Sequence, residues 1–177
     1  VTIIHNDPEH LEKQVLRHGP GVILVDSIYS TNGSISPLLE IAGISERNAC
    51  VLVVDESHSL GTHGPNGAGM VVALGLEERV HFRTVSLAKA FAGRAGFVAC
   101  PRRFHEYFKF ESNPAIFSST LLPYEVAGLN ATLEVIRQED WRRERLHYCA
   151  GFLRASLEEL GYNLNDSQSQ IVSLEAG

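Results

Sequence analysis

Apolar and polar residues along this chain follow the pattern of an α/β protein. Residues 22–25 and 50–54 are apolar at consecutive positions, which is typical of parallel strands buried on both faces. A third strand is predicted near residues 80–87, and a further apolar run at 96–100 predicts a fourth. Because helical patterns separate most of these runs, the sequence predicts an α/β sheet with helices on both faces.

Proline and cap residues predict where the first two helices begin. Asp7 stands before Pro8, a pair typical of an N-cap followed by a first turn in which the missing N–H does no harm. Ser36 before Pro37 repeats this signal. We therefore expect a second helix that begins after Ser36 and runs to about Arg47.

Apolar spacing predicts three more helices and a final strand. A short helix is expected over residues 70–76, and residues 124–139 and 141–160 carry apolar side chains at helical spacing. A last apolar run at 171–174 predicts the start of a strand.

The connection between the third and fourth predicted strands is short. Only residues 88–95 separate them, whereas a parallel crossover needs a dozen or more residues. We therefore expect one antiparallel strand in a mostly parallel sheet. The loop between these two strands carries Lys89.

Composition and charge exclude several classes of protein. The chain has 177 residues, with 15 Lys and Arg against 21 Asp and Glu and a formal net charge of −6, so a nucleic-acid surface is not expected. No apolar stretch approaches the ~20 residues of a membrane span. The three cysteines are scattered, which argues against zinc and favours a reducing cytoplasm. We predict a cytoplasmic protein without a metal site and, since it begins at Val1, a piece of a longer chain.

Polar residues follow three of the predicted strands, where ligands of open α/β sheets bind. Asp26, Asp55 and Ser86 stand at these strand ends. A carboxylate after the apolar strand that ends at Asp55 is costly unless a cation meets it. A protonated pyridine nitrogen and a magnesium ion are both candidates for that cation.

Lys89 is the candidate nucleophile. The chain has only three lysines, and this one stands in the apolar string Leu87-Ala88-Lys89-Ala90-Phe91 without a charged neighbour. Keeping a lysine neutral at pH 7 costs about 4.6 kcal/mol. A covalent bond to an aldehyde relieves that cost, while the alternative is an ordinary exposed loop lysine.

Four motifs stand in a specific order along the chain: Asp55-Glu56-Ser57-His58, Gly64-Pro65-Asn66-Gly67-Ala68-Gly69, Ser86-Leu87-Ala88-Lys89 and Ser118-Ser119-Thr120-Leu121-Leu122-Pro123. Together they resemble the α-oxoamine synthases, which are pyridoxal-phosphate (PLP) enzymes of the aspartate-aminotransferase fold. The match covers nearly the whole chain, and within the family it is most similar to the CqsA-type quorum-sensing autoinducer synthases.

The resemblance implies roles for four residues at the reacting end of the cofactor. Lys89 would bind PLP covalently and later move the α-proton of the amino-acid substrate. Asp55 would keep the pyridine nitrogen protonated. His58 and Ser30 would lie near the ring oxygen and the reacting bond.

The resemblance also implies how the phosphate is bound. Ser86 would bind it directly. Three further hydroxyls would reach the phosphate of a neighbouring subunit's cofactor, in a homodimer with a shared active site: Ser118, Ser119 and Thr120.

The reaction implied by the resemblance is an acyl transfer from acyl-CoA to an amino acid. A Claisen condensation with decarboxylation would give an α-aminoketone, here an autoinducer precursor made from a fatty acyl-CoA. Residues 1–140 would be part of the PLP-binding large domain of a fold-type-I enzyme. Residues 141–177 would be a helix and strand leading into a truncated C-terminal small domain. The isolated chain is therefore expected to be inactive.

Two alternatives remain open at this stage. The string Val53-Val54-Asp55-Glu56-Ser57-His58 also resembles the magnesium-binding strand of a nucleotide-dependent DExH-type ATPase, although no Gly-x-x-x-x-Gly-Lys-Ser/Thr loop occurs in the chain. The second alternative is a non-catalytic fragment of the enzyme.

Overall fold

A four-stranded sheet lies at the centre of the computed structural model, which describes residues 1–174. Its strands are β1 (Val22–Asp26), β2 (Val51–Asp55), β3 (Phe82–Ser86) and β4 (Gly96–Ala99). They lie in the order β1-β2-β3-β4. β1, β2 and β3 are parallel, and β4 is antiparallel to β3, so the mostly parallel sheet with one antiparallel strand is confirmed.

Among the described residues, seven α-helices precede, separate and follow the strands, and those expected from the sequence lie close to their expected positions. They are α1 (Pro8–His18), α2 (Leu38–Arg47), α3 (Met70–Ala73), α4 (His105–Glu111), α5 (Asn113–Phe117), α6 (Pro123–Gln138) and α7 (Asp140–Glu159). The Asp7 side chain caps α1 by accepting a hydrogen bond from the His10 N–H at 2.8 Å.

Two local predictions are wrong. The N-cap of α2 is Pro37, which has no side-chain acceptor, so Ser36 does not cap this helix. Residues 171–174 form no strand. Ser169 and Ser167 bond to the backbone of Ile171 instead, and this local pairing replaces a strand partner.

The hydrophobic core lies between one face of the sheet and the first helices. Ile23, Val25, Leu52 and Val54 point to this face and are buried together with residues of α1, α2 and α3. On the other face, Val22 and Leu24 of β1 are each 69% exposed. The prediction that β1 is buried on both faces is therefore wrong within the described residues, because α1 and α2 cover one face only.

The opposite face is partly covered near β3. Phe82 is in register with Val53, and its ring lies 4.9 Å from the Phe104 ring and 6.2 Å from the Phe108 ring of α4. Helical segments thus pack on both faces of the sheet, as predicted.

The chain after α7 returns to the carboxyl end of the sheet. The backbone N–H groups of Gln168 and Ser169 both donate to the Gly33 carbonyl at 3.1 Å. Gly33 has φ +73°, and a Cβ there would lie 2.0 Å from the Ile171 carbonyl oxygen, so this close approach requires glycine. Within the described residues, no helix is long and apolar enough to cross a bilayer. The domain division at residue 140 stays a prediction.

Candidate active site

Three polar side chains meet where β1, β2 and β3 end. The parallel register places Asp26 beside Asp55, and Asp55 beside Thr84. Burial raises the pKa of Asp26, the neighbouring Asp55 charge raises it further, and His58 opposes both effects. The edge of the sheet that the sequence singled out therefore holds two adjacent carboxyl groups.

Hydrogen bonds from two donors hold the Asp55 carboxylate. The backbone N–H of Ser57 donates to Oδ1 at 2.9 Å, and the Thr84 hydroxyl donates to Oδ2 at 2.7 Å. The Ser57 hydroxyl in turn accepts a hydrogen bond from the Ser86 N–H at 2.7 Å. Because both oxygens are engaged, the plane of this carboxylate is fixed.

Lys89 lies in the hairpin loop between β3 and β4. The loop is closed by backbone bonds from Leu87 N–H to the Ala95 carbonyl at 2.8 Å and from Ala92 N–H to the Lys89 carbonyl at 3.0 Å. The Lys89 side chain is exposed and makes no hydrogen bond or ion pair with any described residue. This exposure is also that of an ordinary loop lysine, the alternative that the sequence left open, so the nucleophilic role of Lys89 stays a prediction.

The pKa of His58 responds both to Lys89 and to the carboxyl groups at the strand ends. Burial lowers its pKa and the Lys89 charge lowers it further, while Asp26 and Asp55 act in the opposite direction. All three charged groups are therefore within electrostatic reach of the His58 ring.

A cleft of about 1160 Å³ opens beside Asp55. Its walls come from the ends of β2 and β3, from β4 and from the segment before α6. Among its lining residues are Asp55, Ser57, Thr84, Ser86, Ser118, Ser119 and Thr120. The structure thus brings the predicted phosphate-binding hydroxyls to the same cleft as Asp55.

Three predicted site residues lie outside this lining. Lys89 follows the lining residue Ala88, and His58 lies one residue after the lining residue Ser57. Ser30 is exposed in a turn closed by the Gly33 N–H donating to the Tyr29 carbonyl at 2.9 Å. The roles of these residues, and the reach of the Ser118 segment to a neighbouring subunit, stay predictions.

Glu56 is fully buried and paired rather than open to a ligand. It forms an ion pair with Arg83 and accepts hydrogen bonds from the Val71 N–H at 2.9 Å and the Ser59 hydroxyl at 3.1 Å. Gly69 has φ +94°, and a Cβ there would lie 2.5 Å from Glu56 Oε1. A DExH-type site needs this acid near magnesium, so the buried pair counts against that alternative.

Sequence reasoning missed Thr84 and the role of the Ser57 backbone. Thr84 stands two residues before Ser86 on β3, so strand periodicity places both side chains on one face. That periodicity was a usable signal. The partner of Thr84 depends on how β2 and β3 align, which the pattern of one strand does not reveal.

Comparison with known proteins shows a clear family. Residues 2–177 match the family described as aminotransferase class I and II. The chain is 53% identical over 174 residues to the CAI-1 autoinducer synthase of Vibrio campbellii, and 37% identical over 175 residues to a putative 8-amino-7-oxononanoate synthase of Halalkalibacterium halodurans. Each match covers 98% of this chain but 44% of the relative, so the chain spans less than half the length of these curated relatives.

Solved structures agree with this result. The fold is similar to that of serine palmitoyltransferase from S. paucimobilis with a bound PLP–myriocin aldimine, at a TM-score of 0.89 and 27% identity. That match covers 98% of this chain and 46% of the other. The resemblance to the α-oxoamine synthases and the expectation of a fold-type-I fragment are confirmed.

Proposed function

Because this chain belongs to the aminotransferase class I and II family, we propose that the protein is a PLP-dependent α-oxoamine synthase. One observation carries the proposal. A carboxylate with both oxygens fixed, that of Asp55, faces a cleft lined with hydroxyl groups. The charges of Lys89 and Asp55 both act on the pKa of His58, the first lowering it and the second raising it.

The residues present fit PLP by their chemistry. The cofactor has a basic ring nitrogen, an aldehyde and a phosphate. Asp55 offers an anion for the protonated ring nitrogen, and Lys89 offers an unpaired amine for the aldehyde. Hydroxyl groups for the phosphate line the cleft at Ser86, Ser118, Ser119 and Thr120.

PLP, when bound, supplies an electron sink for carbanion chemistry. The protein supplies charge and orientation. Asp55, held by Thr84 and Ser57, would keep a proton at the ring nitrogen. Lys89 would hold the cofactor covalently and would then move the proton at the α-carbon of the amino acid. His58, whose pKa is lowered by burial and by Lys89, would offer a hydrogen bond at the ring oxygen.

The proposed reaction joins an acyl-CoA and an amino acid by a Claisen condensation with decarboxylation, which gives an α-aminoketone. The greater identity to the CAI-1 autoinducer synthase than to the 8-amino-7-oxononanoate synthase supports a fatty acyl donor and an autoinducer precursor as product. We further propose a cytoplasmic homodimer with a shared active site. Since the relatives are more than twice as long, the isolated chain is proposed to be inactive.

Capture of PLP on one lysine tests the proposed function. The full-length protein is incubated with PLP, reduced with borohydride and digested, and the labelled peptide is identified by mass spectrometry. We expect label on Lys89, and no label in the Lys89→Ala variant.

The matched control is Lys109→Ala, because Lys109 lies on α4 with its ammonium 5.2 Å from the centre of the Phe110 ring. This variant should capture PLP as the wild type does. Label on Lys13 or Lys109, or no label at all, would overturn the assignment.

A further inference from the structure

We infer that Thr84 is a positioning residue, which holds the Asp55 carboxylate in the orientation that a protonated ring nitrogen requires. This inference rests on the proposed function, since it concerns the same site. Thr84 itself contacts the Asp55 carboxylate.

The position of Thr84 in the sheet gives it this role. Strand order and register place Asp55 between Asp26 on β1 and Thr84 on β3. One lateral neighbour of Asp55 is therefore a second carboxyl group, and two negative charges at this distance repel each other. The other neighbour is a hydroxyl that donates to Asp55 Oδ2 at 2.7 Å.

Donors on both oxygens fix the plane of the carboxylate. The Ser57 N–H engages Oδ1 at 2.9 Å and belongs to the backbone, so substitution of Ser57 does not remove it. Thr84 supplies the side-chain donor. Removing its hydroxyl takes away the hydrogen bond that the structure shows at Oδ2.

The Thr84 side chain also lines the cleft together with Asp55 and Ser86. Asp55 and Ser86 are the proposed partners of the two ends of the cofactor, the ring nitrogen and the phosphate. The side-chain donor to Asp55 therefore lies in the cleft that would hold the cofactor.

Thr84→Val is the decisive variant because it keeps the β-branched shape and removes the hydroxyl. The readout is a pH titration of the visible absorbance of the PLP-loaded, full-length protein. When the ring nitrogen loses its proton more easily, it withdraws fewer electrons from the cofactor-bound nitrogen of Lys89. That nitrogen then keeps its own proton to a higher pH. We therefore expect the titration midpoint to rise by about one pH unit, the size of one hydrogen bond to a charged group.

Kinetics provide a second readout. We expect kcat of Thr84→Val to fall about tenfold with little change in KM for the amino acid, because the anion matters most when carbanion charge develops. Thr84→Ser restores the donor and should return both values toward those of the wild type. The control is Thr132→Val, since the Thr132 hydroxyl donates to the Gly128 carbonyl of its own helix.

Three results would overturn the inference. Thr84→Val could titrate and turn over as the wild type does, or Thr84→Ser could behave like Thr84→Val, which would assign the effect to packing of the methyl group. In both cases PLP capture on Lys89 is intact and the proposed function stands. If the wild type captures no PLP on Lys89, the proposed function and this inference fall together.

Discussion

Asp55 shows at the scale of single residues how a side chain becomes chemically useful. Its carboxylate would be an expensive group at the end of an apolar strand. Here the Ser57 N–H and the Thr84 hydroxyl engage its two oxygens at 2.9 and 2.7 Å, and the cleft leaves room for a cation. The residue is thus prepared for a cationic partner rather than paired within the chain.

Replacing Asp55 tests its charge. Asp55→Asn keeps the shape of the side chain and removes the anion, so PLP capture on Lys89 should persist. Turnover should fall by at least about 100-fold, the range seen when one preorganised electrostatic group is lost. Steady-state kinetics of the full-length protein measure this. Asp166→Asn, at an exposed position, is the control, and normal turnover of Asp55→Asn would refute the role of Asp55.

A buried ion pair orders the loop after β2 at the scale of elements. Glu56 is paired with Arg83 of β3 and bonded to the Val71 N–H at the start of α3. Arg83 also donates to the Ala68 carbonyl at 2.8 Å. Strand, loop and helix are thereby fixed around one carboxylate, and the same loop carries His58.

Breaking this ion pair should destabilise the fold. Arg83→Met leaves a buried carboxylate unpaired, so we expect the free energy of unfolding to fall by about 3 kcal/mol. Urea denaturation measures the change. The double variant Glu56→Gln/Arg83→Met should recover part of the loss, because no buried charge then remains.

The control for this experiment is the exposed pair of Arg79 and Glu46, where the hydrogen bond from Arg79 lowers the pKa of Glu46. Arg79→Met should change the stability far less than Arg83→Met does, since solvent screens this pair. Equal losses in the two variants would contradict the importance assigned to burial.

At the scale of the whole molecule, the last helix contacts the loop that follows β2. His147 of α7 donates from Nε2 to the Thr62 carbonyl at 2.8 Å, and its ring centre lies 4.7 Å from that of His63. Gln170 donates to the His58 carbonyl at 2.7 Å. Segments more than 80 residues apart in sequence therefore meet at the loop that follows β2.

This junction predicts a pH dependence of stability. Burial, followed by the charge of His147, lowers the pKa of His63 to about 4, below the value of about 6.5 in an unfolded chain. The unfolded state therefore binds a proton first as the pH falls. We expect the stabilisation to be present above pH 6.5 and to decline toward pH 4, by about 2 kcal/mol after solvent screening.

Urea denaturation at a series of pH values tests this prediction. His63→Gln removes the titrating group and should flatten the dependence over that range. His18→Gln, at an exposed position at the end of α1, should leave it unchanged. A wild-type stability that does not vary between pH 7 and pH 4.5 would contradict the prediction.

The sequence by itself determined the order of the elements, the antiparallel fourth strand and the family. Apolar runs set the strands, and residues 88–95 are too few for a parallel crossover. The motifs around Asp55 and Lys89 have a specific order and spacing, and the family that they predicted is confirmed.

Only the tertiary structure decided which groups meet. Thr84 reaches Asp55 across 29 positions and Arg83 reaches Glu56 across 27, because β2 and β3 align in one particular register. A period of two tells which face of its strand a residue occupies, but it does not tell which residue of the next strand lies beside it. The exposed face of β1 was also decided by the tertiary structure. An apolar run in the sequence shows that both faces of a strand are apolar, but only the packing of whole helices determines which face is buried.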